Sequence, residues 1–356
     1  MSVLWDDFGL HNLYSGVSRH AIRLSQSLLQ LGESPVFRNS CPPQKLNNLF
    51  SLSELPYNAS SKKNFFKLLR VVMENPVRGD FSVWHGLSNL NGAFESRFRS
   101  SICARVLTVH DIIPLLLDKH QTSRLKRSQY KYLLTRAISN VDQVICVSKW
   151  TQSLLSDVYP KFQSKFIFIP NGVDPILPYV PRETYPEVLF VSRFESYKGF
   201  KLLEKIIRIV SDKLKFHIVT DVNGLHYLKQ VSPRSQVFTY TAINESELDG
   251  LRRRCSIYLQ TSRYEGFCLP AAEFLRMGKS VVYCKGSGID EVMGDCGYAL
   301  NADSPANHWA ETLTHAYHEP VDNPQGCYLD IKNHCETLKT WPEVASKVLG
   351  VYNQLR

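Results

Sequence analysis

The sequence predicts an α/β protein made of two Rossmann-like domains that face each other across a cleft. Short apolar runs alternate with segments of helical periodicity along the whole chain, and most of these runs are continuous, which is typical of strands buried on both faces. The chain has 356 residues, more than the roughly 250 to 300 residues that one hydrophobic core usually supports. Two parallel sheets, each with its own core, are therefore expected.

Each predicted element follows from its local pattern. In the first half, apolar runs predict strands at residues 3–5, 81–84, 106–109, 144–147 and 166–169. In the second half they predict strands at 188–191, 216–219, 257–259 and 281–284. A period of about 3.6 residues predicts helices between the strands, most clearly at 22–31 and 202–210. Strand, helix and strand in repeated order imply parallel sheets with right-handed crossovers.

The domain boundary lies in residues 174–186, which contain four prolines and no periodicity. We interpret them as a linker. Residues 1–173 then form the first domain and 187–341 the second, and a C-terminal helix at about 342–356 is expected to pack back onto the first. Residues 40–65, rich in proline, serine and asparagine, are predicted to be an irregular excursion of the first domain.

The composition indicates an ordinary globular protein. Hydrophobic residues make up 44% and charged residues 21% of the chain, and no apolar run approaches the roughly 18 residues that span a bilayer. The first residues include Asp6 and Asp7 where a signal peptide carries basic residues, so a cytoplasmic location is expected. The nine cysteines are odd in number and form no Cys-x-x-Cys pair, which argues against a zinc site and a disulfide framework.

The basic charge is confined to the first half of the chain. Residues 1–175 contain 21 Lys and Arg and 12 Asp and Glu, so they carry the whole net charge of +9. This asymmetry suggests an anionic partner, either a membrane surface or a phosphorylated acceptor. Residues 61–70 and a second basic cluster at 124–136 resemble interfacial helices, although ordinary helices with one solvated face have the same pattern. No nucleic-acid-binding module is recognisable.

Open parallel sheets bind ligands beyond the carboxyl ends of their strands, so residues that follow strands are the first candidates. Arg193 and Lys198 follow the strand at 188–191 and precede a helix. Such a pair could hold a diphosphate, since arginine engages two oxygens and lysine adds a mobile charge. Two solvated surface charges are the alternative interpretation.

Two glutamates eight positions apart, Glu265 and Glu273, follow the strand at 257–259. The first lies in a loop and the second in a helix that Pro270 can begin and Gly278 can end. Carboxylates accept hydrogen bonds from adjacent hydroxyls, and a helix N-terminus suits a phosphate, so a sugar nucleotide fits both. Simple helix capping is the alternative.

In the first half, His110 and Asp111 follow the strand at 106–109. His110 could hydrogen-bond a sugar hydroxyl, with Asp111 orienting it or contacting an acceptor, while local pairing of the two is the alternative. His85, after the strand at 81–84, is a weaker case of the same kind. Gly16 precedes a helix and would let the backbone approach a ligand.

Several other chemistries are excluded by missing motifs. The sequence contains no Gly-x-x-x-x-Gly-Lys-Ser/Thr, no Gly-x-Gly-x-x-Gly and no Gly-x-Ser-x-Gly. No Asp-x-Asp pair is present to hold a divalent metal on a diphosphate, so no metal is expected and side-chain cations would neutralise the leaving group.

In combination, these motifs resemble those of the retaining glycosyltransferases of family 4, which have the GT-B fold. The resemblance runs in register over nearly the whole chain and includes the Gly16 loop, Ser148-Lys149, Asn171-Gly172, the segment from Arg193 to Gly199, and the Glu-x7-Glu element. Two positions depart from the family pattern, since Ser192 stands where glycine is frequent and Gly16 where many members have a glycine pair.

The resemblance implies a role for each matching residue. Arg193 and Lys198 would hold the donor diphosphate, Glu273 would bind the ribose hydroxyls, and His110 would approach the sugar near its reactive carbon. The donor sugar would contact Glu265 and the backbone of the four residues that follow it, Gly266, Phe267, Cys268 and Leu269. Gly16 would also lie at the donor, and Asp111 and His85 on the acceptor side.

The function expected from this resemblance is retaining, metal-independent hexosyl transfer from a nucleotide sugar, with no further cofactor. The segment from His110 to Pro114 most resembles mannosyltransferase-like members of bacterial surface-polysaccharide assembly, so GDP-mannose is the favoured donor and a glycan or lipid-linked glycan the acceptor. A transferase that uses a UDP-sugar and a non-catalytic nucleotide-sugar-binding scaffold are the alternatives. The expected location is the cytoplasm, with peripheral binding at the inner face of the plasma membrane.

Overall fold

The computed structural model of the chain describes residues 3–6, 16–37, 81–93, 103–175, 177, 185–210, 212–231 and 236–355. It divides into two compact units, Met1–Gly172 with Thr340–Arg356 and Val173–Lys339. Within the described residues, each unit holds one six-stranded sheet, and all strand pairs in the two sheets are parallel. The predicted α/β class with two parallel sheets is confirmed.

Several segments discussed above lie outside the described residues. These are the N-terminal loop at 7–15, the excursion at 40–65, the basic segment at 61–70 and most of the linker. In the part of the chain that is described, no helix is long and apolar enough to cross a membrane.

The sheet of the first unit has the order β2-β1-β3-β4-β5-β6. Its core joins sheet residues such as Leu107 and Val144 to Leu134 and Ile138 of one helix and Leu155 of another. The elements are β1 (Val3–Asp6), α1 (Gly16–Gln30), β2 (Val36–Phe37), β3 (Val83–Gly86), β4 (Ala104–Val109), α2 (Ile113–Leu116), α3 (Arg124–Ser139), β5 (Gln143–Cys146), α4 (Lys149–Val158) and β6 (Phe166–Phe168).

The sheet of the second unit has the order β12-β11-β10-β7-β8-β9. Its core packs Phe190 and Phe216 of the sheet against Leu203, Ile207 and Trp309. The elements are β7 (Tyr185–Val191), α5 (Phe200–Val210), β8 (Lys215–Val219), α6 (Val222–Val231), β9 (Val237–Tyr240), α7 (Glu245–Arg254), β10 (Cys255–Gln260), α8 (Leu269–Leu275), β11 (Ser280–Cys284), α9 (Ile289–Met293), β12 (Tyr298–Leu300), α10 (Ala306–Asp322) and α11 (Pro324–Cys335).

The last helix, α12 (Trp341–Gln354), belongs to the first unit. The Tyr352 hydroxyl accepts a hydrogen bond from Trp5 Nε1 at 3.2 Å and lies 2.6 Å from His85 Nδ1. Gly172 packs so closely on this helix that a Cβ there would lie 2.5 Å from the Trp341 ring. These buried contacts hold α12 against the first sheet.

A lysine caps one helix in each unit. Lys165 Nζ donates to the carbonyls of Ile138, Ser139 and Val141 at the end of α3, at 3.2, 3.3 and 2.6 Å. Lys279 Nζ donates in the same way to three carbonyls at the end of α7. The last carbonyls of a helix lack intrahelical partners, so an ammonium there satisfies them and complements the helix dipole.

Candidate active site

The strand order of the second unit reverses between β7 and β10. From β7 the chain proceeds to β8 and β9 on one side of the sheet, and β10, β11 and β12 lie on the other. In open α/β sheets, ligands bind beyond the carboxyl ends of the strands at such a reversal. The loops that follow β7 and β10 are residues 192–199 and 261–268, and they carry the predicted residues.

The loop after β7 ends in a constrained glycine. Gly199 has φ +74°, and a Cβ at this position would lie 2.4 Å from the Thr261 carbonyl oxygen. Only glycine fits there, because both the conformation and the close approach exclude a side chain. Earlier in the loop, Phe194 N donates to Asp221 Oδ2 at 3.3 Å. The Arg193 side chain, one residue before, is exposed.

Lys198 and Glu265 form a close ion pair that joins the two loops. Lys198 Nζ lies 2.6 Å from Glu265 Oε1, and the two side chains are only 14% and 12% exposed. Two backbone contacts reinforce the junction, Arg263 N to Tyr197 O at 2.9 Å and Thr261 Oγ1 to Lys198 O at 2.9 Å. A cation and a carboxylate therefore share one fixed position at the strand reversal.

The charge state of Lys198 follows from this pairing. Burial by itself would lower the pKa of Lys198, but the Glu265 carboxylate and, to a smaller extent, Tyr197 raise it above its usual value. The ammonium therefore stays protonated although it is shielded from water. A charged, partly desolvated lysine interacts more strongly with a phosphate than an exposed one does.

A third loop, after β11, holds Glu265 from the other side. Ser287 Oγ accepts from Glu265 N at 3.1 Å, and Gly288 N donates to Glu265 O at 2.9 Å. A Cβ on Gly288 would lie 2.1 Å from Gly266 O. The backbone at residues 265–266 is therefore fixed by contacts with two neighbouring loops.

The backbone turns sharply before α8. Cys268 adopts a left-handed conformation with φ +72° at the position that precedes the helix. Its thiol is buried, and burial raises the pKa of Cys268 to about 12, so it is not a thiolate nucleophile. Phe267 and Leu269 on either side are also buried. The contribution of residues 266–269 to a ligand would come from the backbone.

Glu273 lies on α8 and contacts an arginine that the sequence analysis did not single out. Its Oε2 is 2.7 Å from Arg252 Nη2, and the Arg252 side chain is 5% exposed. Arg252 is the first of three consecutive arginines at the end of α7. Nothing in the sequence distinguishes the buried member of this run from its exposed neighbours.

In the first unit, His110 follows β4, where the sequence places it. Its Nε2 donates to Leu87 O at 3.0 Å and its backbone N donates to Asn89 Oδ1 at 2.8 Å. Burial lowers the pKa of His110 to about 4, although the bond to Leu87 opposes the shift. The imidazole is thus neutral near neutral pH, and its remaining nitrogen is an acceptor.

Asp111 is held locally. Its Oδ1 accepts from Ile113 N at 3.0 Å at the start of α2, and its carbonyl accepts from Asn89 Nδ2 at 2.8 Å. Leu87 and Asn89 thus orient His110, whereas Asp111 caps the following turn. This local contact is the alternative that the sequence left open.

The prediction for His85 is wrong. The residue lies inside β3 rather than after it, it is fully buried, and its ring nitrogens contact Tyr352 Oη at 2.6 Å and Thr108 Oγ1 at 2.8 Å. β3 pairs with β1 and β4 as far as Gly86, so the strand extends two residues beyond the predicted end. A side chain with both nitrogens engaged in the core has no contact to offer an acceptor.

Gly16 is the first residue of α1, and a Cβ at this position would meet nothing within 4 Å. Packing of the protein itself therefore does not require glycine there, and its donor role stays a prediction.

The structure adds His20 of α1 to this region. Its Nδ1 lies 2.7 Å from Asn171 Oδ1, and its ring packs edge-on against His110 with centroids 5.0 Å apart.

One further cluster has the composition of a metal site. Glu187, His217 and Cys255 lie together in the second unit, all buried. However, Arg254 binds both carboxylate oxygens of Glu187, one of them at 2.8 Å, and His217 bridges Glu187 and Tyr240. A cation already occupies the carboxylate, so the cluster is a structural ion pair.

Comparison with known proteins identifies the family. Residues 14–176 match the family model described as Glycosyltransferase Family 4, and residues 178–327 match the model described as Glycosyl transferases group 1. Together these two matches span most of the chain. The chain belongs to the family 4 glycosyltransferases. The predicted resemblance is confirmed, and the protein is a glycosyltransferase.

Relatives of this glycosyltransferase act on different sugars. One subunit of the Homo sapiens phosphatidylinositol N-acetylglucosaminyltransferase is 25% identical over 381 residues, 98% of this chain and 75% of the relative. The MMP alpha-(1->4)-mannosyltransferase of Mycolicibacterium hassiacum is 25% identical over 299 residues, 78% of this chain and 71% of the relative. Among solved structures, Anabaena HepE in complex with UDP-glucose has a TM-score of 0.75 at 14% identity, covering 99% of this chain and 100% of that one. This likeness shows the shared GT-B fold.

Proposed function

We propose that this glycosyltransferase transfers a hexosyl group from a nucleotide sugar with retention of anomeric configuration and without a metal ion. In this proposal Arg193 and Lys198 bind the donor diphosphate, Glu265 binds the sugar and Glu273 the ribose. The observation that carries it is the Lys198–Glu265 pair, 2.6 Å apart at the reversal of strand order. A sugar linked to a diphosphate needs a carboxylate and a cation side by side in this way.

The proposed chemical step moves one bond and one proton. The bond between the anomeric carbon and the phosphate oxygen breaks, and its electron pair stays with the departing nucleoside diphosphate. The acceptor hydroxyl oxygen bonds to the anomeric carbon on the same face, and its proton passes to the departing phosphate. Arg193 and Lys198 counter the charge that develops on the leaving group, which is where such enzymes gain most stabilisation.

The first unit is proposed to contribute His110 to the sugar and Asp111 to the acceptor, with Gly16 near the donor. Because burial lowers the pKa of His110 to about 4, its imidazole would act as a neutral hydrogen-bond partner and not as an acid. This role needs no proton transfer at the ring, in agreement with a step in which the leaving phosphate takes the proton.

GDP-mannose is the proposed donor. The motif resemblance around His110 supports it, and so does similarity to a mannosyltransferase. The alternative is a UDP-sugar, because a structure of the same fold binds UDP-glucose. Thermal unfolding with GDP, UDP and ADP and with their sugars separates the two, since a ligand that binds only the folded state raises the melting temperature. Stabilisation by UDP compounds alone would replace GDP-mannose as the donor.

The proposed acceptor is a glycan or lipid-linked glycan of polysaccharide or lipopolysaccharide assembly, reached at the inner face of the plasma membrane. The exposed side of α3 supports peripheral binding there. Leu125 and Tyr132, seven positions apart on that side, are 68% and 60% exposed. The exposed cations Arg124, Lys126 and Lys131 flank them.

The charge of this region also fits an anionic surface. Residues 119–141 contain six Lys and Arg and no Asp or Glu, and each cation near an anionic bilayer contributes about 1 kcal/mol. Sedimentation with phosphatidylglycerol vesicles would test the proposal. We expect Leu125→Ser with Tyr132→Ser to weaken binding at least about tenfold. Leu329→Ser, at a residue 53% exposed in the second unit, should bind like wild type. Equal binding by both variants would argue against the α3 face.

A further inference from the structure

Arg252 is a buried arginine that bridges two carboxylates. Its Nη1 lies 2.7 Å from Glu245 Oε1 and its Nη2 2.7 Å from Glu273 Oε2, and its side chain is 5% exposed. The next two residues of the helix differ, since the side chains of Arg253 and Arg254 are 59% and 55% exposed. A single member of the arginine run is therefore directed into the protein, towards α8.

The helix that carries Arg252 is fixed at both ends. At the start of α7, Asn244 and Glu247 form a reciprocal capping box with hydrogen bonds of 2.9 and 2.7 Å. At its end, Lys279 Nζ donates to the Arg252 and Arg253 carbonyls, both at 2.7 Å. Because the backbone of Arg252 is held directly, its guanidinium is presented to α8 with little freedom.

We infer that Arg252 is a positioning residue that aims the Glu273 carboxylate at the nucleotide ribose, an inference that rests on the proposed function. The Glu273 side chain is 12% exposed, so its Oε2 is bound in a largely desolvated place where the ion pair is strong. Fixing one oxygen of a carboxylate fixes the direction of the other. Hydrogen bonds to ribose hydroxyls require an acceptor in a defined direction.

This role makes a prediction that simple structural support does not. If Arg252 acts through Glu273, its loss must reduce recognition of the ribose hydroxyl specifically. The suitable ligands are a nucleoside diphosphate, chosen as the tightest binder among UDP, GDP and ADP, and its 2′-deoxy counterpart. Calorimetric titration gives the ratio of their dissociation constants, and changes in overall stability or in diphosphate binding cancel from this ratio.

In the wild type we expect the ribose form to bind about tenfold more tightly than the deoxy form, as for a hydrogen bond to a charged group. Arg252→Met keeps much of the side-chain length and removes the charge, and should reduce this preference to about twofold or less. Arg252→Lys restores a charge without the planar fork and should recover part of it. The matched control is Arg253→Met, one residue along the same helix and exposed, which should keep the full preference.

The outcomes separate the inference from the proposed function. A wild-type preference that is unchanged in both Arg252→Met and Arg252→Lys, whatever their melting temperatures, overturns the positioning role. A wild type that does not distinguish the two ligands instead contradicts the ribose role of Glu273, and the inference with it. If Arg252→Met fails to fold, Arg252→Lys decides, because a preference equal to that of the wild type counts against the fork geometry proposed here.

Discussion

Three buried histidines of the first unit, His20, His85 and His110, predict that the protein loses stability as the pH falls below neutrality. Burial lowers the pKa of all three, to about 3 for His85 and about 4 for His110. For His20 burial and the neighbouring His110 both lower the pKa, and the hydrogen bond to Asn171 only partly offsets them. All three are therefore neutral in the folded protein near neutral pH.

The sign follows from proton linkage. In the unfolded chain the histidines have a pKa of 6.5, so below that pH the unfolded state binds more protons than the folded state. The stability present near neutral pH is lost as the pH falls through 6.5 towards about 4. Between about pH 7.5 and about pH 5, each histidine that stays neutral in the folded state lowers the free energy of unfolding by about 2 kcal/mol. Three such groups set an upper limit of about 6 kcal/mol, comparable with the whole stability of many domains.

Denaturant unfolding at the two pH values measures this loss. His85→Gln should be less stable than the wild type near neutral pH, because it disturbs contacts with Tyr352 and Thr108, but its loss on acidification should be smaller by about 2 kcal/mol. His226→Gln, at an exposed histidine of the second unit, should behave like the wild type at both pH values. Equal stability of the wild type at both pH values would refute the reasoning, as would an undiminished loss in His85→Gln.

Three further changes test individual contacts, all by denaturant unfolding. Lys279→Met removes the ammonium that binds three carbonyls at the end of α7 and should cost about 3 kcal/mol, against about 0.5 kcal/mol or less for the exposed Lys285→Met; similar losses would contradict the cap. Gly199→Ala places a methyl group 2.4 Å from a carbonyl oxygen at φ +74° and should cost at least about 2 kcal/mol and weaken nucleotide binding; wild-type stability would show that the loop relaxes freely. Tyr352→Phe removes the hydroxyl that joins α12 to two buried polar groups and should cost about 2 kcal/mol; a neutral substitution would argue against that network.

Much of the fold could be predicted because the core strands are continuous apolar runs. Val188 to Val191 and Val281 to Cys284 lie in sheet interiors, and their burial on both faces leaves a signal that does not depend on tertiary detail. Parallel topology then places the ends of neighbouring strands together. This is why Lys198 and Glu265, far apart in sequence, could be expected at one edge of the sheet.

The strands that the sequence analysis missed are short or lie at sheet edges. β2 has two residues and β12 three, and β9 is an edge strand whose residues are all at least partly exposed. Their alternation is too brief to stand out from a loop. His85 was misplaced for a related reason, because the length of β3 is set by pairing with both neighbours and not by its own apolar residues.

Arg252 could not be found from the sequence at all. Its importance arises from which face of α7 meets α8, and three adjacent arginines point in three different directions around a helix. The same limit applies to His20, whose contact with Asn171 joins residues from opposite ends of the first sheet's sequence. Such contacts follow from packing between elements, which local patterns do not encode.

The central claim is that the Lys198 ammonium, held beside Glu265, stabilises the departing diphosphate. The most direct test is the rate at which nucleoside diphosphate is released from its sugar donor by Lys198→Met and, as the control, by Lys201→Met at an exposed lysine of α5. We expect Lys198→Met to lower the rate at saturating donor by at least about a hundredfold, the usual effect of losing one such group, and Lys201→Met to leave it within about twofold. A folded Lys198→Met protein that releases the nucleotide at nearly the wild-type rate would contradict the account.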